Sequence, residues 1–256
     1  MSSFTMDLSI VWPALIAGIL VSISHVPLGQ QVLARGIVFI DLAIAQVAGL
    51  GVIAASSFGW PIEGWGAQAA AGAAALAGAL LLTWTERRRP EIQEALIGIL
   101  FILASTAQIL VLANDPHGGE NLKDLLAGQI LWVSTEQLVR TAILTAIFAA
   151  VWFLWREKIG RVGFYVLFAV VVTASVQLVG VYLVFTTLIV PAVAAYRLAP
   201  NRQLAAGYAL AAGSYVVGLT VSVVTDLPSS AVIVWAMAVL GLFVHLAGKR
   251  EPGRVG

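Results

Sequence analysis

The sequence contains no cysteine, and charged residues are scarce. Of its 256 residues, 11% are Asp, Glu, Lys or Arg, whereas about 25% is usual in a soluble domain. The absence of cysteine excludes a disulfide framework, a thiolate metal site and a cysteine nucleophile. The formal net charge of +1 does not provide the basic stripe of a nucleic-acid-binding protein. We therefore expect no nucleic-acid partner.

Hydrophobic residues make up 60% of the chain, which is typical of a protein surrounded by membrane lipid. A bilayer core of about 30 Å is spanned by about 20 apolar residues in a helix. Long charge-free runs cover Leu8–Ala34, Leu42–Ile62, Gly64–Thr85, Ala95–Asn114, Thr141–Trp155, Val162–Tyr196, Gln203–Thr225 and Leu227–Gly248. The first run follows no basic segment and is too long for a signal peptide, so we expect it to be retained. The runs predict a single transmembrane domain over residues 1–256.

One of these runs is too long for a single pass. As a straight helix, Val162–Tyr196 would extend about 50 Å. Thr186, Thr187 and Pro191 cluster near its end, and this cluster predicts a break. A broken helix at membrane depth is tolerated where it is buried in protein or lines a cavity. The predicted fold is an all-α transmembrane bundle with eight to nine passes and one broken helix near Pro191.

The distribution of basic residues predicts the orientation of the bundle, because cytoplasmic loops carry an excess of Lys and Arg. With the N-terminus outside and nine passes, Lys123 and Arg140 lie outside. The other basic residues then lie in the cytoplasm: Arg35, Arg87, Arg88, Arg89, Arg156, Lys158, Arg161, Arg197, Arg202, Lys249, Arg250 and Arg254.

Small residues recur at helical spacing inside the third run. Ala67, Ala71, Ala75 and Ala79 lie four residues apart, so they share one face of a helix. Small side chains let helix backbones approach closely in a membrane, where packing drives helix association. The pattern predicts close contact with a neighbouring helix.

Acidic residues inside the predicted spans are few. Asp41 lies six residues after Arg35, within the second span. Because a carboxylate in the membrane costs a few kcal/mol, such a residue indicates a transport pathway; the alternative is a helix-start residue paired with Arg35. Gln46 is a nearby polar group, not quite on the same helix face, and is predicted as a possible ligand on the pathway. Glu94 opens the fourth span, where a pathway role competes with simple stabilisation of a helix N-terminus.

The histidines indicate one further candidate site, in a loop. His117 and Glu120 lie in the outer loop after Asn114, where they could bind a divalent cation; a solvated acidic loop is the alternative. His25 is interpreted as a satisfied polar group inside the bundle. The sequence has no H-E-x-x-H, G-x-S-x-G or phosphate-binding G-x-x-x-x-G-K-[ST] motif. We expect a non-enzymatic protein that cannot hydrolyse ATP by a P-loop of its own.

Three stretches in the same chain resemble the permease subunit of metal-uptake ABC transporters, the zinc, manganese or iron type. They are Pro27–Gly29 through Asp41 and Gly49–Val52; Glu94–Leu100 followed by Asp124–Ser134; and Leu178–Val184 through Leu188–Ala192. The resemblance implies a dimeric permease in the bacterial inner membrane that transports a divalent metal ion. It also implies a cytosolic ATPase subunit that uses ATP, an extracytoplasmic metal-binding protein, and no cofactor bound by this chain.

The sequence departs from that family in two places. Typical members carry a histidine four residues after the Asp41 position and another four residues after the Gly98 position, but here these are Ala45 and Ile102. The remaining oxygen donors suit harder cations than zinc. The connection Arg156–Arg161 is also much shorter than the family's ATPase-docking segment. We therefore expect ATPase coupling at Arg87, Arg88 and Arg89 in the Arg87–Pro90 loop, with the Arg197–Arg202 connection as the alternative.

Other functional classes stay open on the sequence alone. A secondary transporter or channel without an ATPase would also use membrane carboxylates and a broken helix. A membrane enzyme and a purely structural subunit are further alternatives. An adjacent gene for an ATPase or a binding protein distinguishes the importer from the rest.

Overall fold

The computed structural model of the chain describes residues 8–61, 64–112, 122–123, 126–128, 130–155 and 158–248. The long helices are α1 (Leu8–Arg35), α2 (Ile40–Ser57), α3 (Trp65–Arg88), α4 (Gln93–Leu112), α5 (Thr135–Trp155), α6 (Arg161–Val179), α7 (Val181–Ala195), α8 (Pro200–Thr225) and α9 (Ser229–Ala247). Single 3-10 turns occupy Pro90–Ile92 and Ile130–Trp132.

Helices account for all the regular structure in the described part of the chain. Eight of them are long and apolar enough to cross a membrane, while α7 is a shorter apolar helix of 15 residues. At 1.5 Å per residue, α7 extends about 22 Å and falls short of a full bilayer core. These helices confirm the predicted all-α, multi-pass membrane bundle.

The long run from residue 162 does break, but not at Pro191. The break lies at Gly180, whose φ of 84° falls in the left-handed region that favours glycine. The Ala127–Gly128 backbone crosses at this point so closely that a Cβ on Gly128 or Gly180 would overlap the other segment. The predicted break near Pro191 is therefore wrong. Pro191 lies inside α7 and is buried, and membrane helices tolerate proline where neighbouring groups compensate for the missing hydrogen bond.

The predicted stripe of small residues packs as expected. Its four alanines are at most 1% exposed, and α3 packs on α2. A Cβ on Gly51 of α2 would lie 2.6 Å from the carbonyl oxygen of Ala70, so the two backbones nearly touch. The remaining packing is extensive: α2 also contacts α4, α3 contacts α6, α1 contacts α7 and α8, and α9 contacts α7 and α8.

Side-chain contacts bring several helix ends together at one end of the bundle, which we term the cationic end. Arg35 at the end of α1 lies over the Phe164 ring of α6, 4.0 Å from its centroid. Arg161 pairs with Glu86 near the end of α3 at 3.3 Å. At the opposite end, Arg140 lies over the Trp65 ring. The contacts of Arg35 and Arg161 therefore lie at one end of the bundle and the contact of Arg140 at the other.

Candidate functional site

Asp41 lies in the first turn of α2 and is fully buried. Neither of its carboxylate oxygens has a hydrogen-bond partner among the described residues. The helix N-terminus favours a negative charge there, but this offsets only part of the cost of removing a carboxylate from water. A buried acid with both oxygens unengaged is able to attract a cation.

Glu94 bridges the starts of two helices. It lies in the first turn of α4, and the backbone N–H of Phe39, which immediately precedes α2, donates to its Oε1 at 3.2 Å. The first N–H groups of a helix have no partner within the helix, so Glu94 caps α2 from outside. Its Oε2 is buried and has no hydrogen-bond partner in the described part of the chain. Glu94 therefore fixes the backbone two residues before Asp41 and keeps one free oxygen.

Gln46 belongs to a buried pair of amides between α2 and α4. The Nε2 of Gln108 donates to both the backbone oxygen and the Oε1 of Gln46, each at 2.7 Å. Both side chains are at most 3% exposed. Gln108 was not predicted from the sequence, although a single glutamine inside an apolar run was a detectable signal.

The three residues predicted to shape the broken helix occupy different surroundings. Thr186 lines a cavity, and its hydroxyl donates to the Tyr182 carbonyl of the preceding turn at 2.7 Å. Thr187 is fully buried, with its hydroxyl 2.9 Å from that of Tyr215 on α8. Pro191 packs against Gly207 of α8. A Cβ added to Gly207 would lie 3.6 Å from the Cβ of Pro191. Of these three residues, Thr186 is the one that lines the cavity.

The cavity has a volume of about 780 Å³ and lies between the Ile130–Trp132 turn, α7, the turn after α8, and α9. Phe185 of α7 contributes to its wall. The ring of Phe185 stacks on that of Phe39, with centroids 6.5 Å apart and planes inclined by 9°. Two aromatic rings therefore connect the cavity to the start of α2, two residues before Asp41.

The predicted histidine site cannot be compared with the structure, because His117 and Glu120 lie outside the described residues. Within the described ranges, no three His, Cys, Asp or Glu side chains come together in a way that could hold a metal ion. His25 is fully buried, with Nδ1 3.0 Å from the Val21 carbonyl oxygen and from the Ser24 hydroxyl. Its Nε2 has no partner in the described part, so only one side of the ring is satisfied.

The basic triplet lies at the cationic end. Arg87, Arg88 and Arg89 are exposed at the end of α3. The ion pair between Glu86 and Arg161 places this segment beside the start of α6. The triplet therefore adjoins the place where the short connection between α5 and α6 ends.

Both the sequence and the fold of this chain are similar to those of known proteins. A sequence profile of the ABC 3 transport family matches residues 7–164 and 158–248. The fold is similar to PsaBC from Streptococcus pneumoniae, solved in complex with Fab, with a TM-score of 0.77, 21% identity, and coverage of 95% of this chain and 94% of that one. It is also similar to a protein described as a metal-chelate type ABC transporter in an inward-facing conformation. That match has a TM-score of 0.64, 16% identity, and coverage of 92% and 85%.

Proposed function

Because the chain belongs to the ABC 3 transport family, we propose that it is the membrane permease of a metal importer. The cargo is a divalent metal ion of the zinc, manganese or iron class. A separate cytosolic ATPase supplies the energy, and an extracytoplasmic metal-binding protein delivers the ion. Two copies of the chain pair in the bacterial inner membrane.

The observation that carries this proposal is the state of Asp41. Its carboxylate is fully buried within a membrane helix and has no partner among the described residues. Unpaired acids within membrane-spanning helices are rare and mark ion pathways. A divalent cation compensates the carboxylate during transport, and oxygen donors favour the harder members of this metal class.

The route to Asp41 begins at the cavity. An ion that enters there passes Thr186 and meets the stacked rings of Phe185 and Phe39. Those rings separate the cavity from the start of α2, so the path opens when they move apart. The free Oε2 of Glu94 is a second oxygen donor near this point. The Gln46 side chain is held by Gln108 and therefore shapes the path rather than acting as a mobile ligand.

Transport requires alternation between states open to opposite sides of the membrane, and the ATPase biases their populations. The exposed triplet Arg87–Arg89 is a contact for the ATPase, because it lies at the cationic end next to the start of α6. The His117 and Glu120 loop is assigned to the entry side, where the binding protein docks.

The test measures metal accumulation in a strain that lacks this gene. Complementation with the wild-type chain restores accumulation of at least one of Zn²⁺, Mn²⁺ and Fe²⁺. Asp41→Asn, which preserves shape and removes the charge, abolishes it at equal membrane abundance. Glu136→Gln is the matched control, because that carboxylate lies at the start of α5 and pairs with Arg140. Full transport by Asp41→Asn would contradict the pathway assignment.

A further inference from the structure

Gln93, the residue before Glu94, binds two other helices at the cationic end. It opens α4 and is only 4% exposed. Its Nε2 donates to the Leu82 carbonyl of α3 at 3.0 Å and to the Tyr165 hydroxyl of α6 at 3.4 Å. Both hydrogens of the amide are therefore engaged, and the first turn of α4 is held against α3 and α6.

The amide oxygen of Gln93 has a partner as well. The Thr85 hydroxyl lies 2.9 Å from the Gln93 Oε1 and 3.0 Å from the Leu82 carbonyl oxygen. A hydroxyl has a single hydrogen to donate, and the Leu82 carbonyl already accepts from Nε2. The Thr85 hydroxyl is therefore free to donate to Oε1. Such a contact is costly to break, because breaking it leaves buried polar groups unpaired.

One side of this contact lies beside the surface that the ATPase is proposed to bind. Glu86 of α3 pairs with Arg161 in the first turn of α6 at 3.3 Å, and the Arg161 side chain is 46% exposed. Tyr165 lies about one turn further along α6 and is buried. The exposed triplet Arg87–Arg89 directly follows Glu86. A movement of these helix ends therefore acts on the first turn of α4.

The other side of this contact leads to the ion path. Glu94 follows Gln93 in the same helical turn and accepts from the Phe39 N–H at 3.2 Å. The ring of Phe39 stacks on that of Phe185, which lines the cavity. Because neighbouring residues of one helical turn move together, a displacement of Gln93 also moves Glu94 and, through it, Phe39.

We propose that Gln93 is a positioning residue that transmits movement of the ATPase-facing end to the barrier formed by Phe39 and Phe185. It acts through Glu94 and not on the ion itself. When the ATPase shifts the ends of α3 and α6, the first turn of α4 follows, the two rings separate and the path opens. This inference rests on the proposed function, since it names how the ATPase reaches the ion path.

The experiment measures metal uptake and ATP hydrolysis in the same vesicles. The permease is reconstituted with its ATPase, ATP is enclosed, and Mn²⁺, Zn²⁺ or Fe²⁺ is supplied outside as the simple salt with the metal-binding protein. Gln93→Met keeps the length of the side chain and removes its hydrogen bonds. For a residue that couples two sites, we expect the number of ions transported per ATP to fall about tenfold, while hydrolysis stays within about twofold of the wild type.

Two threonines of α3 provide a second variant and its matched control. Thr85→Val removes the donor to Gln93 and keeps the shape, so the ratio of ions to ATP should also fall. Combined with Gln93→Met it should add nothing, because both changes break one contact. Thr83→Val is the control, since its hydroxyl donates to the Ala79 carbonyl of its own helix at 2.8 Å, and its ratio should equal that of the wild type.

The ratio separates coupling from folding, because a loss of folded protein lowers uptake and hydrolysis together. Thermal unfolding of each complex in detergent is measured in parallel, and Thr85→Val decides the test where Gln93→Met does not assemble.

Failure of this inference differs from failure of the proposed function. A wild-type ratio in Gln93→Met and Thr85→Val, or a parallel fall of uptake and hydrolysis, overturns the coupling role and leaves metal import standing. An equal fall of the ratio in Thr83→Val also overturns it, because any change in α3 would then uncouple transport. A wild-type complex that transports none of the three metals with ATP contradicts metal import itself.

Discussion

At the scale of single residues, the candidate site centres on Asp41 of α2 and Glu94 of α4, and one backbone contact fixes the start of α2 beside them. An acid inside an apolar run is visible in the sequence, because its cost does not depend on the fold. The contact between Glu94 and the Phe39 N–H joins residues 55 positions apart. Such a contact depends on how α2 and α4 rotate and pack, which periodicity alone does not determine.

The capping role of Glu94 predicts a specific pattern of stability. Glu94→Ala leaves the Phe39 N–H without its acceptor, so we expect a loss of about 1 kcal/mol, as for other helix caps. Glu94→Gln keeps an acceptor oxygen and should stay within about 0.5 kcal/mol of the wild type. Thermal unfolding in detergent measures both. Equal destabilisation by the two substitutions would show that charge, and not the cap, is what matters.

The amide pair of Gln46 and Gln108 predicts non-additive effects. Gln108→Leu leaves the buried Gln46 side chain unpaired, which costs about 1–3 kcal/mol. Replacing both amides by leucine removes the unpaired group, so the double variant should be more stable than either single variant. Thr106→Val is the control on α4, because this exposed hydroxyl bonds only to carbonyls of its own helix among the described residues. Additive losses measured by the same unfolding assay would contradict the pairing.

At the scale of helices, the sequence predicted that a run would break but not where it breaks. Length alone requires a break between residues 162 and 196, because one pass needs only about 20 residues. Its location depends on the Ala127–Gly128 segment, which contacts Gly180 from a distant part of the chain. Proline was the stronger local signal, yet packing against α8 holds Pro191 within a continuous α7.

The Gly180 crossing predicts a large effect of a single methyl group. Gly180→Ala must keep a positive-φ backbone that is adopted essentially only by glycine, at about 1–3 kcal/mol. It must also displace the Gly128 backbone, at about 1–3 kcal/mol. We expect a marked loss of folded protein in the membrane fraction, measured by size-exclusion chromatography after extraction. Gly98→Ala is the matched control, because a Cβ on Gly98 meets no atom within 4 Å and alanine favours a helix. Wild-type yield for Gly180→Ala would refute the crossing.

At the scale of the whole molecule, the contacts of the basic residues show which helix ends lie together. The contacts of Arg35 and Arg161 gather the ends of α1 and α3 with the start of α6. This grouping was predictable, because each pass reverses the direction of the chain, whereas the side of the membrane stays a prediction of the charge rule. The shape of the cavity was not predictable, since it depends on four separate segments.

The predicted orientation determines which introduced cysteines a reagent outside the cell can reach. Because the sequence contains no native cysteine, only the introduced residue reacts. Phe58→Cys lies in the turn between α2 and α3, where the native side chain is 83% exposed. Arg88→Cys lies at the cationic end. In intact spheroplasts, a membrane-impermeant maleimide should label position 58 and label position 88 only after lysis. The reverse pattern would place the cationic end outside.

The central claim is import driven by an ATPase, and reconstitution tests it most directly. The permease is purified with the ATPase that accompanies it and is placed in vesicles loaded with ATP or a non-hydrolysable analogue, and the metal-binding protein is supplied outside. Metal uptake is then measured for the wild type and Asp41→Asn. The account predicts uptake that requires both the ATPase and hydrolysable ATP, and that is lost in Asp41→Asn. Undiminished uptake by the permease alone, without ATPase or ATP, would contradict it and identify a secondary transporter or channel.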